Sequence, residues 1–252
     1  MTKKEHIKQF GLVGKNIEYS FSRNHFTTKF AKELKVDHQY INYDIEDISA
    51  FESVLSKPPI PSGLNVTIPY KKAVIPYLDD LSEEAKTIQA VNTIVWEASG
   101  KIVGHNTDHY GFEKALLEKI NAKPDRALIL GTGGASGAIK FVLEKLGCDF
   151  QFVSRNPKKD QLSYEQLTKD LIKNIDLIVN TTPLGTYPNT SVVPPIPYEY
   201  LNSNHFLFDL IYNPEETRFL KEGKIRGSKT SNGYQMLVYQ AEKSWELWNR
   251  IV

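Results

Sequence analysis

The stretch Ile129-Leu-Gly-Thr-Gly-Gly-Ala135 lies between two hydrophobic patterns of different period and constrains the fold more than any other segment. Before it, Ala127-Leu-Ile-Leu130 is a short apolar run suited to a buried strand. After it, Ile139, Val142, Leu143 and Leu146 recur at helical spacing until Gly147 supplies a stop signal. A strand, a glycine turn and a helix form the phosphate-binding element of a dinucleotide fold. Gly131 permits the tight turn, Gly133 lets backbone approach a pyrophosphate, and the helix N-terminus offers N–H groups at the positive end of its dipole. Ser136 and Gly137 hold the third small position, a loose match to the fingerprint. A plain tight turn has the same glycines, so the neighbouring segments decide.

Phe150-Gln-Phe-Val153 reads as the next strand, which makes Leu128 to Val153 one strand–helix–strand unit. An acidic residue closing that second strand would bond the adenine ribose hydroxyls and favour NAD. Here the strand closes in Ser154-Arg155-Asn156, then Pro157-Lys158-Lys159, with no carboxylate until Asp160. That charge suits a 2′-phosphate, with Arg155 placed to form a bidentate pair. A solvated basic turn has the same composition, so the preference for NADP over NAD rests on the glycine turn upstream. Ile175-Asp-Leu-Ile-Val179 and Phe206-Leu-Phe-Asp209 supply two more buried-strand candidates for a small parallel sheet.

A length of 252 residues allows one large domain or two modest ones, and 40% hydrophobic residues suffice for a packed core. A net charge of +1 suggests neither a nucleic-acid surface nor a polybasic membrane patch. No apolar run reaches the length of a membrane span, and Met1-Thr-Lys-Lys-Glu-His6 lacks the apolar core of a signal peptide, so a soluble cytoplasmic enzyme is expected. The single cysteine, Cys148, excludes an internal disulfide and reads as structural. His105 and His109 are four apart, but Gly104 argues against one helix through both, so no metal site is expected.

The first hundred residues also alternate strand and helix signals. Phe10 to Gly14, Gln39 to Tyr43 and Leu64 to Ile68 read as strands. Phe26, Phe30 and Leu34 space one helix face, and Ile48, Phe51 and Leu55 another. This favours a second α/β layer ahead of the nucleotide fold. Polar residues gather at its strand ends: Ser20 and Ser22, then Asn65, Thr67 and Lys71, then Asn92, then Asn106 and Asp108. In open α/β sheets such positions hold ligands. Hydroxyls and amides suit a substrate with several hydroxyl groups and one carboxylate, and a lysine with an aspartate suits proton transfer to an alcohol that becomes a ketone. Taken singly, Asn and Thr at strand ends also make turns and helix caps, and composition alone does not select the site.

In order along the chain, these segments resemble the shikimate dehydrogenases. Gly11-Leu-Val-Gly14 with Tyr19-Ser20-Phe21-Ser22 is similar to the family's opening motif, and Asn65-Val-Thr-Ile-Pro-Tyr-Lys71 to its lysine motif. Ala90-Val-Asn-Thr93 and Gly104-His-Asn-Thr-Asp108 resemble the next two, followed by the cofactor turn Gly131 to Ala135 and the loop Asn180-Thr-Thr-Pro-Leu-Gly185. Asp209-Leu-Ile-Tyr212, with Pro214 and Thr217, and Gly233-Tyr-Gln-Met-Leu-Val-Tyr-Gln240 complete the series. The resemblance implies reversible NADPH-dependent reduction of 3-dehydroshikimate to shikimate, with Lys71 and Asp108 catalytic. It implies Ser20, Ser22, Asn65, Thr67, Asn92, Tyr212 and Gln240 on the substrate. It implies Gly131, Thr132, Gly133, Gly134, Ala135, Ser154, Arg155, Asn156, Thr182, Leu210 and Gly233 on NADP.

The implied architecture is an N-terminal α/β substrate domain, residues 1–106 with 233–252, and a Rossmann-type doubly wound NADP-binding domain, residues 107–232. The substrate cleft is expected between them. Leu237, Val238, Ala241, Trp245 and Trp248 would give the C-terminal helix its apolar face. The sequence departs from the family where Arg23 replaces a usual proline, Phe26 a usual histidine and Thr186 a common methionine, and where Ser154-Arg155-Asn156 replaces Asn-Arg-Thr. A quinate/shikimate dehydrogenase preferring NAD and a non-catalytic binding protein on the same fold are the rival readings. Oligomeric state is not fixed by the sequence.

Overall fold

The computed structural model describes residues 7–18 and 20–250; Tyr19 of the opening motif, the segment Met1 to His6 and the last two residues lie outside them. The chain divides into two compact units, Met1–Thr107 with Gln240–Val252, and Asp108–Tyr239.

In the first unit, β1 (Lys8–Gly14) pairs in parallel with β2 (His38–Asp44) on one side and β3 (Gly63–Val66) on the other. The sheet continues through β5 (Thr93–Trp96), antiparallel to both neighbours, to β6 (Ile102–His105) and then β4 (Asp80–Leu81). The order β2-β1-β3-β5-β6-β4 places a topological switch between β1 and β3, where connections leave to opposite sides. Crevices outside strand C-termini at such a point are where open sheets bind ligands. The helices are α1 (Phe21–Lys32), α2 (Phe51–Ser56) and α3 (Glu83–Ile88).

Alternation along β1 sorts its side chains to two cores. Phe10 and Leu12 join Phe26, Phe30, Tyr40, Trp245 and Trp248, while Val13 joins Leu64, Val66 and Phe51. The first of these cores is aromatic, with Phe26 stacked on Tyr40 at 4.7 Å and 16°. Leu34 does not extend the Phe26 and Phe30 face as its spacing predicts. Helix α1 ends at Lys32, and Leu34 turns to φ 53° and is 83% exposed. Strand β3 likewise stops at Val66, two residues short of the predicted Ile68, which is exposed.

The second unit opens with α4 (Asp108–Leu117). Its sheet comprises β7 (Arg126–Leu130), β8 (Asp149–Val153), β9 (Gln161–Leu162), β10 (Leu177–Asn180), β11 (Phe206–Asp209) and β12 (Lys229–Ser231). All five pairings are parallel, in the order β12-β11-β10-β7-β8-β9. Counted within the unit this is 6-5-4-1-2-3, the doubly wound dinucleotide-binding order, with its switch between β7 and β10. Helices cover both faces, so β7 reads as a continuous apolar run: Ala127 and Ile129 pack one way, Leu128 and Leu130 the other. Helix α5 (Ser136–Leu146) buries Ile139, Val142 and Leu143, and a bond from Cys148 N–H to Leu143 C=O closes it over Gly147. The short α6 (Lys169–Lys173) and α7 (Arg218–Ile225) precede β10 and β12.

Helix α8 (Tyr234–Trp248) runs through the boundary at Tyr239/Gln240. Met236 packs in the core of the second unit, and Ala241, Trp245 and Trp248 in the aromatic core of the first. Because Phe26 is fully buried among aromatic rings, Phe26→Ala is expected to lower unfolding free energy by about 3–5 kcal/mol in a urea titration. A loss below about 1 kcal/mol would contradict this packing.

Candidate active site

Three of the predicted polar residues of the first unit, Asn65, Asn92 and Gln240, converge on one buried network. Asn65 of β3 faces Thr93 of β5 across the antiparallel pair, and its Nδ2 lies 3.1 Å from Asn92 O, 3.2 Å from Thr93 Oγ1 and 3.0 Å from Ser244 Oγ. Its Oδ1 accepts the Tyr40 hydroxyl at 2.8 Å. Burial pushes the Tyr40 pKa up, opposed by a hydrogen bond with Ser22, so Tyr40 keeps the proton it donates. Asn92 Oδ1 accepts Thr107 N–H at 2.7 Å, while its Nδ2 donates to Thr107 Oγ1 at 3.0 Å and to Gln240 Oε1 at 3.3 Å. Gln240 and Ser244, four apart, share one face of α8, and the Ser244 hydroxyl also meets Thr93 at 2.7 Å.

Asn65, Asn92 and Gln240 are therefore brought together, and Ser22 joins them through Tyr40. Thr93, Thr107, Tyr40 and Ser244 belong to the same network, although the family resemblance implies no role for them. In the sequence, only the i, i+4 spacing of Ser244 from Gln240 points to one of them.

Ser20 stands apart at the start of α1. Its Oγ accepts Arg23 N–H at 3.2 Å as the helix N-cap and donates to Asn42 Oδ1 at 3.1 Å. The preceding loop is pinned to β2: Asn42 Nδ2 donates to Ile17 O at 2.6 Å, and the Asp44 carboxylate accepts Asn16 and Ile17 N–H at 2.9 and 3.1 Å. Thr67 and Lys71 lie in the turn after β3, with Lys71 half-buried and its C=O accepting Val91 N–H at 2.7 Å. Asn106 is buried and donates to Ala90 O at 3.0 Å. Asp108, the first residue of α4, is buried in the second unit. Tyr212 also lies in the second unit, where burial raises its pKa.

Six of the predicted cofactor residues, Gly131, Thr132, Gly133, Ser154, Arg155 and Thr182, line one cavity at the switch point of the second unit. Gly131 follows β7 at φ 100°, and a Cβ there would stand 2.8 Å from Thr182 Cγ2, so both conformation and space demand glycine. Over Gly133 and Gly134 an added Cβ would meet nothing within 4 Å, an open cradle ahead of α5. A cavity of about 210 Å³ is lined by Gly131, Thr132, Gly133, Ser154, Arg155, Tyr164, Thr181, Thr182, Pro183 and Leu184. A helix N-terminus, an open glycine turn and an exposed guanidinium in the same wall fit a phosphorylated dinucleotide. Asn156 N–H donates to Ser154 Oγ at 3.2 Å, which shapes the turn that presents Arg155. Gly233 touches Leu210 so closely that a Cβ would stand 2.1 Å from Leu210 O.

Beneath this wall lies a second buried network. Asn180 Oδ1 accepts the Thr182 hydroxyl at 2.6 Å and Thr182 N–H at 3.0 Å, and its Nδ2 donates to Asp209 Oδ1 at 3.0 Å. Asp209 also accepts Ile211 N–H at 3.1 Å and the Thr217 hydroxyl at 2.6 Å. Burial pushes the Asp209 carboxyl up to about 6, outweighing three bonds that favour its charged form.

Cys148 is buried, and burial pushes its thiol up to about 11, which leaves it a packing residue. Among the described residues no group of three His, Cys, Asp or Glu side chains could hold a metal ion, and no helix is long and apolar enough to cross a membrane.

Residues 12–94 match the family model for the shikimate dehydrogenase substrate binding domain. The chain is 39% identical over 257 residues to the shikimate dehydrogenase (NADP(+)) of Methanococcus maripaludis strain C7, covering 96% of this chain and 91% of that one. A crystal structure of a shikimate dehydrogenase in complex with NADP+ superposes with a TM-score of 0.83 at 34% identity, over 96% of this chain and 90% of the other. The Thermus thermophilus enzyme in complex with NADP(H) and shikimate gives 0.84 at 29% identity, over 96% and 93%. With such identity sustained along nearly all of both sequences, the chain belongs to the shikimate dehydrogenase family.

Proposed function

We propose that this chain catalyses the reversible NADPH-dependent reduction of 3-dehydroshikimate to shikimate, with Lys71 and Asp108 as its proton-transfer pair. The observation that carries the reading is the pairing of two chemistries in one chain. The first unit has a dry cluster of amides and hydroxyls, and the second an open glycine cradle with Arg155 in its wall. In this reading the first unit holds the substrate and the second the dinucleotide.

When bound, the nicotinamide supplies the hydride that reduces the ketone. Negative charge then grows on the carbonyl oxygen. The Lys71 ammonium stabilises that charge and gives its proton to the oxygen; in the reverse direction the amine takes the proton back. Asp108 orients Lys71 and accepts a hydrogen bond from a ring hydroxyl. Ser20, Ser22, Asn65, Thr67, Asn92, Tyr212 and Gln240 fix the carboxylate and hydroxyls. An analogue lacking a hydroxyl binds less well, because it forgoes one of these hydrogen bonds.

Arg155 is the reason to prefer NADP over NAD. A guanidinium pairs with a 2′-phosphate through two charge-assisted bonds and has no such partner on NAD. Thr132, Ser154 and Asn156 border the same wall, and Gly134 and Ala135 lead into the helix whose N-terminus would hold the pyrophosphate.

Two measurements test these roles. Lys71→Met is expected to lower kcat about 10²–10⁴-fold in the nicotinamide absorbance assay while shikimate still binds in a titration. An unchanged kcat would remove Lys71 from the mechanism. Arg155→Ser is expected to raise KM for NADP about 10- to 100-fold and leave KM for NAD within two-fold. Equal losses with both cofactors would show that Arg155 does not read the phosphate.

A further inference from the structure

Asp209 is the most deeply buried carboxylate of the second unit that the proposed chemistry leaves unused. It sits at the end of β11, and Asn180 at the end of neighbouring β10, in register with it. The Asn180 amide spans the gap between the carboxylate and the loop above. One end donates to Asp209 Oδ1 at 3.0 Å, and the other accepts both the N–H and the hydroxyl of Thr182, at 3.0 and 2.6 Å. Asn180 Nδ2 also reaches Leu184 O at 3.4 Å, so one side chain grips both ends of the Thr182–Leu184 segment. That segment is a wall of the cavity at the glycine turn, and Thr182 is packed directly against Gly131.

We propose that Asn180 and Asp209 are positioning residues for the dinucleotide, a relay that holds the Thr182–Leu184 wall against the glycine turn and thereby sets cofactor affinity. This rests on the reading of the cavity as the NADP site and deepens it.

The relay has a defined polarity. An ionised Asp209 accepts from three donors: Asn180, Ile211 N–H and the Thr217 hydroxyl. A proton on the carboxyl would meet only donors, apart from the Thr217 oxygen if that hydroxyl turned round. Protonation therefore either costs the Thr217 bond or turns that hydroxyl round, and in both cases it removes the charge that strengthens the bond from Asn180. Burial pushes this carboxyl up to about 6, so the change falls between pH 5 and 7. The titratable group facing it is Tyr198, itself flanked by Tyr164, Glu222 and Arg218; Asn180 from β10 and Thr217 at the start of α7 are neutral. The carboxyl pKa lies above its ordinary value. The ionised form, and with it tight cofactor binding, is thus lost as pH falls through about 6.

The test is isothermal titration of NADP into the full chain, with kinetics alongside. Asn180→Ala is expected to weaken NADP binding about ten-fold and to leave shikimate binding within two-fold. Leu207→Ala opens a cavity in the same strand as Asp209 without touching the relay. It should lower the thermal midpoint and leave NADP affinity within two-fold. Unchanged NADP affinity in Asn180→Ala overturns the proposal, and so does an equal loss in Leu207→Ala.

If Asn180→Ala does not fold, Asp209→Asn decides, because it keeps the shape and cannot titrate. The wild type should lose more NADP affinity than Asp209→Asn between pH 7 and pH 5. The ligand's own phosphate, with a second pKa of about 6, titrates equally against both proteins. Parallel profiles overturn the relay. Wild type that binds neither NADP nor NAD overturns the functional reading itself, and the relay with it.

Discussion

The Asn92 amide is the bond on which the first unit depends. Its Oδ1 accepts Thr107 N–H, and its Nδ2 reaches Thr107 and Gln240, so one side chain ties the end of β6 to the returning helix α8. A buried donor or acceptor left without a partner costs about 1–3 kcal/mol, so the network is stable only when nearly complete. Asn65, Thr93, Thr107, Gln240 and Ser244 are all buried and all in it. The same completeness holds β3, β5 and the loop after β6 against α8 at fixed angles.

The second unit reaches its geometry by backbone order instead. Placing β7 beside β10 makes a crevice at the C-terminal ends of two adjacent strands whose connections diverge. The glycine turn after β7 and the Asn180–Thr182 turn after β10 form the two sides of that crevice. Gly131 N–H donates to Val153 O at 2.8 Å, and Thr181 donates through N–H and hydroxyl to Leu130 O at 2.9 and 2.8 Å. Both turns are thus anchored to strand ends, and the cavity shape follows from the sheet.

Much of this is legible in the sequence. The run Ala127 to Leu130 and the helical spacing of Ile139, Val142 and Leu143 identify β7 and α5, because a strand buried on both faces and an amphipathic helix leave distinct periods. Phe206 to Asp209 is β11 residue for residue. The hairpin of β5 and β6 escapes such a reading, although Glu97-Ala-Ser-Gly100 is a turn signal, because its strands are only four residues each and lack clean alternation. The two-residue β4 and β9 have no periodicity to read. Leu34 illustrates the converse failure: spacing places it on the α1 face, yet a helix ends where its backbone caps, and hydrophobicity alone does not mark that point. The site residues are legible as types at strand ends, but their joining through Tyr40, Thr93 and Ser244 is a tertiary fact. Asn65 and Thr93 become neighbours only through the register of β3 against β5.

The start of α1 shows how one departure from the family pattern is absorbed. A proline at position 23 would have no N–H, so Ser20 could not cap the helix through that residue. Arg23 has one, and it bonds Ser20 Oγ while the guanidinium holds Glu18 O at 2.8 Å. Capping uses only a lone pair of the serine. The hydroxyl proton points to Asn42 Oδ1, a neutral acceptor. A carboxylate arriving at this hydroxyl would offer a charge-assisted bond, about twice as strong as the neutral one it replaces. Such an exchange would favour the anion over Asn42, with the Arg23 N–H polarising the hydroxyl that donates. The substitution leaves the serine available and fixes its oxygen more tightly, at a point where Asn42 and Asp44 already pin the loop that carries it.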